Sequence, residues 1–152
     1  RFERVVAIRP DEVMRDGWTI ERPDYGPWSG TIPAHPPTDD AMWPWPFRHG
    51  YLLANTVGAS FTCTFRGPLL GFHADYTDLG GTLQLSVDGQ VLDTISLNID
   101  GCLRLPLAFR HWLLENDADE HTLQVTLIDM PSPESAPPRY GRARIGYLFC
   151  TK

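Results

Sequence analysis

The sequence predicts an all-β fold, an antiparallel β-sandwich of jelly-roll topology, and three observations carry that prediction. The first is period-2 alternation. Phe61, Cys63 and Phe65 share one phase, with Thr62, Thr64 and Arg66 on the other, and Leu83, Leu85, Val87 and then Leu123, Val125, Leu127 repeat it. Successive side chains leave a pleated strand on opposite faces, so this pattern marks half-buried antiparallel strands. The second is Asp88-Gly89 between two such runs. A two-residue type I′ turn needs positive φ at its centre, and Asp-Gly supplies it. The third is the punctuation: 14 prolines and 13 glycines in 152 residues suit many turns and few long helices.

In chain order, residues 1–9 read as an opening strand, followed by a turn at Pro10-Asp11 and a short run at Trp18-Thr19-Ile20. Residues 22–50 differ in kind, with seven prolines and three tryptophans. Proline fixes φ and withdraws a backbone donor, so a central strand is excluded there. Disordered segments are poor in aromatics, so this stretch reads as an ordered loop folded back over the sandwich. Strands follow near 50–54, 60–67, 69–76, 81–88, 90–97, 102–106, 108–114, 121–129 and 142–150. Within them, 108–114 (AFRHWLL) also fits a short helix, which would bring Phe109 and Trp112 together. Residues 130–141 form a second proline-rich loop. Eight or nine short strands separated by turns give the jelly roll, with one domain over 1–152.

Composition narrows the function. A formal charge of −6, and a single lysine at Lys152, remove the basic footprint of a nucleic-acid binder and of an anionic-membrane binder. No apolar run approaches the roughly 18 residues of a spanning helix. No signal peptide and no initiator methionine are visible, so the chain reads as a mature product or an excised piece of a longer, exported protein. Of the three cysteines, Cys63 lies on the Phe61/Phe65 face as a small core hydrophobe. A Cys102–Cys150 bridge is compatible with the sequence, which does not give connectivity. No C-x-x-C pair supports a zinc site, and no cofactor is expected.

Catalytic motifs are missing. Gly58-Ala59-Ser60-Phe61-Thr62 lacks the second glycine of a nucleophile elbow and runs into a strand, so Ser60 reads as a turn residue. His35, His49, His73, His111 and His121 show no metal-binding spacing and take structural or surface roles. His121 opens a strand after the acidic stretch Glu115–Glu120 and is expected to cap or pair with it. That stretch does not match the ligand spacing of a calcium loop and reads as a solvated turn. Asp75 and Asp78 are better placed for a loop cation or for sugar hydroxyls, against turn formation as the default.

The aromatic set carries the functional weight. Trp43-Pro44-Trp45-Pro46-Phe47 sets two indoles two residues apart in an extended stretch, with Trp18, Tyr25 and Trp28 near in sequence. Indole faces suit stacking on the C–H faces of sugar rings. The plainer alternative is that they staple the loop to the sheet, since tryptophan is highly buried on average. The outward strand positions, Thr62, Thr64, Gln84, Ser86, Thr122, Gln124 and Thr126, offer hydrogen bonds but no stacking platform. The expected ligand site is therefore a shallow loop-end site using Trp43 and Trp45, supported by Tyr76 and Asp78, with Arg48 and His49 available for hydroxyls.

Several strings resemble a known family. Leu52-Leu53-Ala54, Val57-Gly58-Ala59-Ser60-Phe61, Thr64-Phe65-Arg66-Gly67 with Leu70-Gly71-Phe72, Ser86-Val87-Asp88-Gly89, Glu120-His121-Thr122-Leu123 and Arg144-Ile145-Gly146-Tyr147-Leu148 resemble the galactose-binding-like jelly-roll modules beside SGNH/GDSL-type carbohydrate esterases. Asp119 stands where that family usually has Gly. The resemblance covers the last two-thirds of the chain, and residues 10–50 match nothing in it. The esterase domain's catalytic serine and Asp-x-x-His blocks have no counterpart here. The resemblance implies a non-catalytic accessory module, with an oligo- or polysaccharide and its own catalytic domain as partners. Two alternatives stand beside it: a packing module with no soluble ligand, and a glycan hydrolase built on Asp39, Asp75 and Asp78, for which no carboxylate pair of defined separation is evident.

Overall fold

The structure is a computed structural model and describes residues 5–8, 10–21, 51–77, 79–99, 105–115, 120–131 and 143–151. Eleven strands are present among them: β1 (Val5–Ile8), β2 (Met14–Asp16), β3 (Thr19–Glu21), β4 (Tyr51–Ala54), β5 (Ser60–Phe65), β6 (Leu69–Tyr76), β7 (Thr82–Val87), β8 (Gln90–Ser96), β9 (Leu105–Leu113), β10 (His121–Asp129) and β11 (Ala143–Thr151). One 3₁₀ turn, Pro10–Glu12, lies between β1 and β2. The strands form two sheets. One runs β3-β4-β11-β6-β9, with β1 also pairing β11; the other runs β2-β5-β10-β7-β8. Every strand pair is antiparallel. Most connections pass from one sheet to the other, as a jelly roll requires.

The alternation places the core. Phe61, Cys63, Phe65, Leu83, Leu85, Val87, Leu123, Val125 and Leu127 are all buried and face Leu52, Ala54, Leu70, Phe72, Ala74, Ile145 and Leu148 of the other sheet. Trp18 is buried with them, edge-on to Phe61 at 5.1 Å, so it belongs to the core and not to a ligand platform. Cys63 and Cys150 are both buried. Burial first, then the neighbouring Cys150 and Glu12, pushes the Cys63 thiol up to about 12.

The sandwich has two ends. At one end the registers gather Phe65, the Asp88-Gly89 turn, Leu113 and His121. Asp88 (φ 51°) and Gly89 (φ 79°) both have positive φ, as the type I′ reading requires, and Val87 pairs with Gln90 across the turn. At the other end the Thr77 amide donates to Leu97 O at 3.0 Å and the Gly58 amide to Leu127 O at 2.8 Å.

Four expectations change. The expected strands at 102–106 and 108–114 are one strand, β9, over its described length, which ends at Leu113; the strand reading of 108–114 holds to that point and its helical alternative falls away. The register with β6 jumps between Ala74 and Tyr76, opposite Pro106. Proline is tolerated there because β9 is an edge strand and the irregularity removes the need for its missing donor. Ser60 is not a turn residue; it pairs with Thr126 and Asp16 as the first residue of β5. Asp75, inside the expected strand 69–76, is buried within β6, which removes it as a loop ligand for a cation or a sugar hydroxyl. β2 was not anticipated, since its three exposed residues carry no hydrophobic period.

Candidate functional site

Of the expected site residues, Tyr76 is described, while Trp43, Trp45, Arg48, His49 and Asp78 lie outside the described residues. Tyr76 ends β6 and is 8% exposed. Its hydroxyl accepts a hydrogen bond from Arg110, and this bond, followed by the electrostatic pull of Tyr76 and Asp93, raises the Arg110 pKa above its ordinary value. Nearby, the Trp112 indole N–H donates to Asp93 Oδ2 at 2.9 Å while its ring packs on Phe72 at 5.4 Å. Arg110 and Trp112 sit on β9 and Asp93 on β8, the adjacent edges of the two sheets. Aromatic and charged groups thus close that side of the sandwich.

The outward positions of the second sheet are polar as expected. Thr64, Thr122 and Gln124 are exposed, and Thr62, Gln84, Ser86 and Thr126 are half-buried. They offer hydroxyl and amide groups and no ring.

At the Asp88 end lies a groove of about 450 Å³, lined in part by Asp88, Val91, Leu113, Leu114, Glu115 and His121. His121 is fully buried, and its Nδ1 lies 2.7 Å from Asp88 Oδ2. Asp88 Oδ1 accepts the Thr122 amide at 2.8 Å. The bond from His121, then that from Thr122, holds the Asp88 carboxyl below the usual carboxylate range. The imidazole stacks on Phe65 at 5.1 Å. The expectation that His121 pairs with the acidic stretch is therefore corrected: its partner is Asp88, 33 residues earlier. One signal could have shown its burial. His121 shares the period-2 phase of Leu123, Val125 and Leu127.

Among the described residues no three His, Cys, Asp or Glu side chains gather as a metal site, and no helix is long and apolar enough to cross a membrane.

No known protein family matches the sequence, and no curated protein matches it. Solved structures do match in fold. A two-domain esterase active on acetylated mannans superposes with a TM-score of 0.68 at 15% identity, over 98% of this chain and 36% of that chain. A family 35 carbohydrate-binding module from Clostridium thermocellum gives 0.60 at 11% identity, over 96% of each chain. A C-terminal CBM6 of a marine laminarinase from Zobellia galactanivorans gives 0.57 at 12% identity, over 98% of this chain and 100% of that one. The fold is the jelly-roll sandwich of these modules, as the sequence predicted. The chain spans about a third of the two-domain esterase.

Proposed function

We propose that this chain is a non-catalytic carbohydrate-binding module serving a larger, exported carbohydrate-active protein of the SGNH-esterase kind. The observation that supports it most is the likeness to a two-domain esterase, in which 98% of this chain corresponds to 36% of the other. A jelly roll of this size accounts for one domain there and leaves most of that chain to another. The likeness to free-standing carbohydrate-binding modules over nearly their whole length points the same way. Its partners are then a glycan and its own catalytic domain, with mannan-type chains first in line because that esterase acts on acetylated mannans.

The ligand-contacting groups in this reading are Trp43 and Trp45 as stacking platforms, with Asp78, Arg48 and His49 for hydroxyls and Tyr76 as a support behind them. The outward positions of β5, β7 and β10 carry Thr, Gln and Ser, and in this reading the tryptophan-rich segment supplies the platforms. Each stacked indole contributes about 1 kcal/mol beyond area burial. Replacing both Trp43 and Trp45 with Ala should therefore weaken binding roughly tenfold or more. Calorimetric titration with acetylated and deacetylated manno-oligosaccharides, xylan fragments and laminarin fragments tests it. Full affinity in folded double-variant protein places the site elsewhere. No binding across the panel rejects the carbohydrate-binding reading in favour of a packing module.

A further inference from the structure

We infer that the groove at the Asp88 end is the docking surface for the catalytic domain of the same polypeptide, an inference that rests on the accessory-module reading above. It starts from where the chain enters and leaves the sandwich. β11 runs toward this end and β1 sets out from it, with Val5 paired to Thr151. Cys150 pairs with Leu70, and Leu70 with Trp112. One residue further along, Thr151, Leu69 and Leu113 stand at the limits of three neighbouring strands. Two strand spacings, about 10 Å, separate Thr151 from Leu113. Chain leading into β1 and chain leaving β11 therefore both meet the sandwich beside the groove, whether the second domain precedes or follows the module.

Apolar side chains are left uncovered at this same end. Val91 and Leu113 are 61% and 74% exposed, and both line the groove with half-buried Leu92 and Leu114. The other exposed large hydrophobics described, Met14, Val57 and Ile128, do not line it. Uncovered aliphatics that converge mark an interaction surface, whereas scattered ones need no explanation. Among the described residues no Phe, Tyr or Trp and no lysine or arginine lines the groove, and its exposed charges are the Asp88 and Glu115 carboxylates. A pyranose lacks a platform there, and the complement is an apolar side chain ringed by Arg or Lys. A stable complex between free molecules buries about 800 Å² on each partner, more than Val91 and Leu113 supply. A tethered domain needs far less, because its linker holds it at roughly millimolar effective concentration. That favours a linked domain over a second copy of this chain. Tyr76 ends β6 about 23 Å from Leu69, so docking leaves the proposed glycan end free.

The solvent exposure of single methyl groups tests it. Methyl signals of Val91, Leu113, Val57 and Leu123 are recorded with a soluble gadolinium chelate, in the 152-residue chain and in the polypeptide of the full reading frame. In the 152-residue chain the chelate should relax Val91, Leu113 and Val57 strongly and leave buried Leu123 unaffected. In the full polypeptide Val91 and Leu113 should lose that relaxation and match Leu123, while Val57 keeps it. Val91→Lys should then restore the relaxation of Leu113, and Leu113→Lys that of Val91, since each sets a cation against the partner's basic rim. Both positions lie on edge strands, where exposed lysine is well tolerated, so the module stays folded. Full relaxation of both methyls beside a folded catalytic domain overturns the docking and leaves the accessory-module reading standing. Protection that survives both substitutions overturns it too, as does protection that grows with concentration in the 152-residue chain, which assigns the face to a second copy. A reading frame that adds no folded catalytic domain overturns the docking and the accessory role together. Glycan titration of the Trp43 and Trp45 variants still reads the carbohydrate part alone.

Discussion

The two sheets bury their residues by different rules. In the β2-β5-β10-β7-β8 sheet, β5, β7 and β10 alternate strictly, with one face in the core and a Thr/Gln/Ser face outward. In the other sheet, β6 is covered on both sides: Leu70, Phe72 and Ala74 face the core, while Gly71 and Asp75 on the opposite phase are also buried. Phe149 shows the same thing from β11. It is buried, lies outside the main core cluster and packs against Gly71. The outward phase of the first sheet meets solvent; on the second, outward-phase residues of β6 and β11 are buried as well. Only the first presents a broad described polar surface.

The contrast can be broken by substitution, beginning with the largest effect. Leu123→Ala should cost about 2–5 kcal/mol, through lost transfer energy and the cavity left in the core. Gln124→Ala, one residue along and exposed, should stay within about 0.5 kcal/mol. Urea unfolding midpoints read both, and a large loss at Gln124 would show that the outward face is also covered. Gly71→Ala tests the second sheet. A Cβ there would lie 1.9 Å from Phe149 Cζ, so the ring must shift, at about 1–3 kcal/mol of overpacking. On an open face the same change would be neutral or stabilising, so the sign of the midpoint shift decides between the two.

Asp88→Ala comes next. It removes the acceptor of the Thr122 amide and of His121 and puts alanine at φ 51°, for an expected loss of about 1–3 kcal/mol. Asp88→Asn should lose less, because asparagine tolerates that φ. The smallest effect is on pH. Burial lowers the His73 pKa below 6.5, so the unfolded chain binds that proton more readily. Its contribution is full above pH 6.5 and lost as pH falls through the lower folded value. Asp88 adds a second step of the same sign, full above pH 3.8 and lost below it. Unfolding midpoints from pH 8 to pH 3 should fall in two stages, the first absent in His73→Asn; a single stage would mean that His73 is solvated.

Much of this was legible before the structure, and the two sheets divide the successes from the failures. The alternating strands could be read because one face meets water, so that polar residues mark the phase. Asp88-Gly89 could be read because the turn geometry admits few residue pairs. β2 could not, since it pairs through its backbone with exposed side chains that carry no period. β9 was read as two pieces because Pro106 signals a break in any strand that is not at an edge. The partner of His121 was invisible because nothing local links positions 88 and 121. Trp18 shows the limit of reading aromatics as a ligand set: its neighbours in sequence gave no sign that it packs on Phe61.

The thiol of Cys63 has a chemical consequence. With its pKa at about 12, roughly one molecule in 10⁵ carries the thiolate at pH 7. Only the thiolate attacks a disulfide, so this sulfur exchanges slowly even where oxidants are plentiful. It sits in the sandwich as an inert methyl-sized filler, and passage through an oxidising compartment would leave it reduced.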